Sequence, residues 1–138
     1  MTISHLRYGI IGCGMMGREH IRNIKLVENT SITAICEPDQ RMRQAAAELA
    51  PDAIFTDDIT SFVAHDDIDA VVIASPNHLH MDQIEALVAR PRPLLVEKPL
   101  YTDPVQAKGL SAITANYSAP IWVAMEYRYM PAIRRLAE

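Results

Sequence analysis

A chain of 138 residues, 49% hydrophobic and 22% charged, has the makeup of one globular domain with a sizeable core. Thirteen basic against seventeen acidic residues leave a net charge of −4, which offers no general attraction to nucleic acid or an anionic membrane, so any bound anion must be held by local geometry. No apolar run approaches the length of a membrane span and the N-terminus lacks a basic region followed by an apolar signal core, so the expected location is cytoplasmic.

In chain order the first signal is an apolar run, Leu6 to Ile11, followed by Gly12-Cys13-Gly14-Met15-Met16-Gly17 and a helix-like segment from Met15 to Val27. The spacing G-x-G-x-x-G is weak evidence alone, but on a strand-to-helix turn it is the dinucleotide fingerprint. Gly12 allows the tight turn, Gly14 lets a pyrophosphate approach the backbone, and Gly17 lets the helix pack closely on the strand. Cys13, Met15 and Met16 belong to the same cofactor-binding loop, and the free N–H groups and positive dipole end of the helix favour an anion there. A second strand, Ser31 to Cys36, runs into Glu37, where a carboxylate can accept hydrogen bonds from the adenosine ribose hydroxyls. Glu37-Pro38-Asp39 also reads as a turn into a helix, with Glu37 as a capping acid.

Asp39 to Leu49 carries apolar residues at helical spacing, with Asp39 as N-cap and Pro51 as a stop. Ala53 to Thr56 reads as a third strand and Asp58 to Ala64 as one or two helical turns. Asp69 to Ser75 is apolar through its middle, the habit of a central parallel strand buried on both faces. A helix from about His78 to Ala89, a strand Leu94 to Glu97, a helix Asp103 to Asn116 and a strand Ile121 to Met125 complete the alternation. The expected fold is α/β, an open doubly wound parallel sheet of six strands in the order 3-2-1-4-5-6 with right-handed crossovers. Ligands bind such a sheet beyond the carboxyl ends of its strands. Two strand ends stand out there, Ser75-Pro76-Asn77-His78-Leu79-His80 and Glu97-Lys98-Pro99. Cys13 and Cys36 read as reduced, and no metal site is expected. His5, His20 and His65 are scattered, His20 reads as packing, and His78 and His80 are too close in sequence to share a helical face.

The glycine cradle, the strand-end acid, Ser75-Pro76-Asn77-x-x-His80 and Glu97-Lys98-Pro99, in this order, resemble the Gfo/Idh/MocA family of nicotinamide-dependent oxidoreductases. The likeness spans nearly the whole chain. It implies a Rossmann fold for residues 1–125, with the glycines on the pyrophosphate and Glu37 on the adenosine ribose. It places Ser75, Pro76, Asn77 and His80 along the middle of the cofactor site, with Glu97 and Arg128 as further cofactor contacts. The implied cofactor is NAD; Glu37 disfavours the 2′-phosphate of NADP, although Arg41 lies four residues on. Lys98 is the implied catalytic residue, beside the nicotinamide and the reacting substrate carbon, and its bond to Pro99 is often cis in the family. A cation there polarises a hydroxyl or carbonyl oxygen, and partial desolvation would lower its pKa enough to help move a proton. The residues by themselves equally allow a surface lysine paired with Glu97.

Arg128-Tyr129-Met130-Pro131 resembles the family's R-F-x-P element, with Tyr129 in place of the usual phenylalanine and Glu126 where an amide is common. The resemblance makes residues 126–138 the start of the crossing into a second α/β domain. That domain supplies most of the substrate pocket and an acid/base histidine in the family, and this chain has no segment to form it. Ile133 and Leu136 would then present an apolar face without cover. The implied activity is hydride transfer to or from a secondary alcohol carbon of a sugar, polyol or similar small molecule, in an enzyme that assembles as a homo-oligomer through the second domain. The alternative is a stand-alone NAD(H)-binding or regulatory module without catalysis.

Overall fold

A computed structural model describes residues 5–138. Its centre is a sheet of six parallel strands, β1 (Leu6–Ile11), β2 (Thr30–Cys36), β3 (Ile54–Thr56), β4 (Ala70–Ile73), β5 (Leu94–Val96) and β6 (Ile121–Val123), in the order β3-β2-β1-β4-β5-β6. The helices between them are α1 (Met15–Ile24), α2 (Gln40–Ala47), α3 (Ile59–Ala64), α4 (His80–Ala86) and α5 (Gln106–Asn116), and a short α6 (Pro131–Leu136) follows β6. Order and parallel sense are those expected from the β-α alternation.

Strand periodicity divides the core between the two faces of the sheet. Ile11, Val71, Ile73, Leu94 and Val96 point to a first face covered by Phe62 and Val63 of α3 and by Met81 and Ile84 of α4. Their neighbours Ile10, Ile35 and Val72 point to the second face, covered by Ile21 and Ile24 of α1 and Ala46 of α2. Right-handed crossovers cause this split: the chain winds outward from β1 to β3 with its helices on one face, then from β4 to β6 with them on the other. The second face of β5 and β6 is left without a helix of its own. Trp122, the only tryptophan, stays 62% exposed there, beside a shallow apolar cavity of about 280 Å³ floored by Tyr8, Leu95 and Trp122.

The ends of the elements depart from the sequence reading for local reasons. The first helix stops at Ile24 and leaves Leu26 and Val27 exposed. The helix expected over residues 78–89 is a 3-10 turn (Asn77–Leu79), α4, and a second 3-10 turn (Leu87–Ala89). The fourth strand begins after Asp69, whose carboxylate accepts from the backbone, Nε and Nη2 of Arg7, and ends before Ser75. The helix expected from Asp103 begins at Gln106, because Gln106 Oε1 accepts from the backbone N–H of Thr102 and Asp103 and so caps the preceding turn. Asp39 caps α2 as expected, accepting from Met42 N–H at 2.9 Å, and Asp58 caps α3 in the same way at Ser61. Below the sheet, the buried Arg92 donates to the carbonyls of Val63 and His65 while its own backbone is tied to the Tyr117 hydroxyl, which joins α3, β5 and the end of α5.

Phe62 is fully buried against Gly9, so closely that a Cβ at residue 9 would lie 2.6 Å from its ring. Phe62→Ala is expected to cost about 3–5 kcal/mol of stability through the cavity it leaves. Urea unfolding checks this: the midpoint falls while the slope stays unchanged.

Candidate functional site

The dinucleotide cradle is built by a backbone approach that only glycine permits. Gly12 has φ +87°, and a Cβ there would lie 2.6 Å from the backbone of Ser75. At Gly17 a Cβ would overlap the carbonyl oxygen of Gly12 and sit 2.9 Å from its carbon, so the first turn of α1 rests directly on the turn after β1. At Gly14 a Cβ would meet no atom within 4 Å. That residue is the N-cap of α1, has no side-chain cap, and lines a cavity of about 650 Å³. The N-terminal end of α1 therefore opens onto space that an anion can fill.

The same cavity is lined by Gly12, Met15, Met16, Glu37, Ser75 and Pro76, which with Gly14 brings together half of the residues read from the sequence. Asn77 stands exposed in the 3-10 turn just beyond. The cavity's acidic rim comprises Glu37, Asp39, Asp57 and Asp58. Asp58 is held below the usual carboxylate range by the hydrogen bonds it accepts at Ser61 and Thr60. Glu37 is buried, and its two carboxylate oxygens accept from the backbone N–H of Cys13 (2.9 Å) and Asp39 (3.0 Å). It thus fastens the glycine turn to the end of β2 as well as lining the cavity. Arg43 donates to the carbonyls of Glu37 and Pro38, while Arg41 points to solvent.

His80 stands differently from its sequence reading. It is fully buried behind the cavity wall, with Nδ1 2.9 Å from the Pro99 carbonyl oxygen and Nε2 3.1 Å from that of Ser75. It lines neither cavity and sits between two strand-end turns. Glu97 does not pair with Lys98: its Oε1 lies 2.8 Å from His20 Nε2, so His20 is an ionisable partner as well as a packing residue. Glu97, His20 and Arg128 line a second cavity of about 610 Å³, which meets the first at Met16. Lys98 follows Glu97 at the end of β5, and its bond to Pro99 is cis. Its side chain is exposed, so the desolvation expected for it is not supplied by the described residues. Sequence reasoning missed Gln83, whose Oε1 accepts from the Ser75 hydroxyl inside the first cavity, and Arg18, which donates to the Cys13 carbonyl at 3.0 Å. Gln83 lies eight residues past Ser75 on α4, a separation with no motif to flag it.

Residues 6–125 match the profile of the Gfo/Idh/MocA oxidoreductase family, NAD-binding Rossmann fold. The chain belongs to this family. The inositol 2-dehydrogenase of Corynebacterium glutamicum (strain R) is 35% identical over 138 residues, covering 96% of this chain and 41% of that protein. That of Arthrobacter sp. (strain FB24) is 37% identical over 99 residues, covering 71% and 29%. Among solved structures, myo-inositol dehydrogenase from Lactobacillus casei in complex with NAD(H) and myo-inositol superposes with a TM-score of 0.89 at 29% identity, over 96% of this chain and 40% of the other. The chain spans about two fifths of that dehydrogenase's length. Residues 6–125 have that family's NAD-binding Rossmann fold, and no helix among the described residues is long and apolar enough to cross a membrane.

The cysteines mark how closed the cradle is. Burial, then the Glu37 charge, pushes the Cys13 thiol up to about 12, and burial, then the Asp58 charge, pushes Cys36 up to about 11. Both are unpaired, so neither should react with iodoacetamide at about pH 8 until the chain is unfolded in urea. The neutral thiol is favoured in the folded state, so the stability it contributes is complete below the ordinary value of 9.0 and is lost as pH rises towards 12. Urea midpoints measured across that alkaline window should fall.

Proposed function

We propose that this domain serves an NAD-dependent dehydrogenase that oxidises a secondary alcohol of a polyol of the inositol kind, or reduces the matching carbonyl. One observation carries the reading. The open, uncapped start of α1 at Gly14 shares a cavity with a strand-end acid, beside a lysine at the next strand end but one. The kinship with inositol 2-dehydrogenases supports the substrate class. Gly12, Gly14 and Gly17 with the N–H groups of α1 would hold the pyrophosphate, Glu37 the adenosine ribose, and Ser75, Pro76 and Asn77 the middle of the dinucleotide. Bound NAD supplies the hydride acceptor.

Lys98 is the catalytic residue in this reading. Its ammonium would polarise the substrate oxygen, and the hydroxyl proton released as hydride leaves would pass to a base supplied by the second domain. Its exposed side chain and the second cavity around Glu97, Glu126 and Arg128 fit an incomplete substrate site that a second domain closes over. The uncovered face at Trp122 fits the same arrangement. Residues 1–125 are then the dinucleotide domain and 126–138 the start of the crossing, in a cytoplasmic homo-oligomer acting on a small molecule.

NADH should bind the 138-residue chain more tightly than NADPH, because four carboxylates on the cavity rim repel a 2′-phosphate. Fluorescence titration of both at one salt concentration decides this, and equal or tighter NADPH binding would show that Glu37 does not face the ribose. The isolated chain should bind NADH weakly without turning over myo-inositol, since nothing in it excludes water from the reacting carbon. In the full-length enzyme Lys98→Met should lower turnover by about 10²-fold or more and leave NADH affinity almost unchanged. Unaltered turnover, followed by the absorbance of the reduced nicotinamide, would remove Lys98 from the chemistry.

A further inference from the structure

Two histidines grip the chain on either side of Lys98, and they come from opposite faces of the sheet. His20 is on α1, which packs on the second face, and its Nε2 lies 2.8 Å from Glu97 Oε1 with both side chains largely buried. His80 opens α4, which packs on the first face, and its Nδ1 lies 2.9 Å from the carbonyl oxygen of Pro99. Regular strand pairing ends at Val96 opposite Ile73, with one further bond from Glu97 N–H to the Ile73 carbonyl. Beyond that point Lys98 and Pro99 are exposed, so the sheet's core does not hold them. Among the described residues two imidazoles lie within hydrogen-bond distance of this segment, and Leu100 just beyond it packs against the first-face core.

We propose that His20 and His80 are positioning residues that clamp the Glu97–Pro99 segment from both faces of the sheet and so fix Lys98 relative to the cofactor cradle. The clamp is anchored in the cradle itself. His80 Nε2 reaches the carbonyl of Ser75, a residue lining the dinucleotide cavity, and His20 lies one turn along α1 from Met16, which lines both cavities. A shift of the cradle is thereby passed to the lysine, and the lysine stays in register with a ligand held by α1 and the Ser75 turn. Hydride and proton transfer tolerate little misplacement, and an error of about 1 Å can cost about 10²-fold in rate. The functional half of this proposal rests on the catalytic reading of Lys98.

The deciding variants are His20→Leu, which keeps bulk and removes the ring N–H, and His20→Gln, which restores a donor to Glu97. In the 138-residue chain, hydrogen exchange at the Glu97 amide, which donates to the Ile73 carbonyl, and at the Ala124 amide, which donates to the Val96 carbonyl, should quicken about tenfold in His20→Leu while β1 and the middle of β4 stay protected, and NADH affinity should change by less than about twofold. In the full-length enzyme kcat should fall about tenfold with KM unchanged, and His20→Gln should recover most of both effects. His80→Leu should loosen the same amides and also weaken NADH binding through Ser75. Because His80 lies in the core, a failure of that variant to fold leaves the decision with His20. Unchanged exchange at both amides overturns the clamp, as does a uniform rise in exchange across the sheet without rescue by glutamine. Unaltered turnover in Lys98→Met overturns the catalytic reading alone, since the exchange data report the clamp whatever Lys98 does.

Discussion

The contact on which the rest of the site depends is the seating of α1 on the turn after β1. Gly17 brings the helix so close that any side chain there would collide with the Gly12 carbonyl, and Gly12 in turn lies against the backbone of Ser75. The first turn of α1 and the two strand-end segments after β1 and β4 are therefore stacked by van der Waals contact between main chains, which leaves almost no freedom for relative movement. The N-terminal end of α1 opens onto the cavity beyond β1 and β4, where its N–H groups, without a side-chain cap, present a fixed positive end. Glu37 completes this by binding the Cys13 N–H from the end of β2, so the turn is held from below by its neighbours and from the side by a buried carboxylate.

Charge in the crevice is divided by position. The helix end favours phosphate at its centre, while Glu37, Asp39, Asp57 and Asp58 make the rim negative. In the proposed reading a dinucleotide with an unmodified ribose would suit both regions, with its phosphates at the N–H groups and its hydroxyls at the acids. Arg43 is held by the carbonyls of Glu37 and Pro38 and keeps its positive charge beside this acidic group, which it offsets in part. The net charge of −4 would repel such a ligand at long range, and screening confines that repulsion to about a Debye length of roughly 10 Å in ordinary salt.

The doubly wound sheet also explains which of its faces is bare among the described residues. Right-handed crossovers send α1 and α2 to one face and α3, α4 and α5 to the other, so β5 and β6 receive helices on a single side. Leu95 and Trp122 alternate onto the bare side, where Tyr129 and Met125 are also exposed around the second cavity. An apolar surface of this kind, next to the proposed catalytic lysine, suits a site assembled between two bodies, each contributing one wall.

The sequence by itself determined the sheet. Apolar runs of strand length, separated by helices and closed by Gly and Pro, admit one simple parallel winding, and the glycine spacing marks the cradle because backbone contact imposes a rule that short-range pattern can carry. Roles set by distant partners were out of its reach. Glu37 could be read as a ribose acceptor or a turn acid, and only the approach of β1 to β2 shows it binding Cys13 and Asp39 at once. His80 belongs to a recognisable motif, yet the motif does not show that it is buried between the Ser75 and Pro99 carbonyls. His20 and Glu97 lie 77 residues apart and no local rule joins them; packing α1 beside β5 does. The exposure of Lys98 was equally hidden, because desolvation belongs to whatever surrounds a side chain in space and not to its neighbours along the chain.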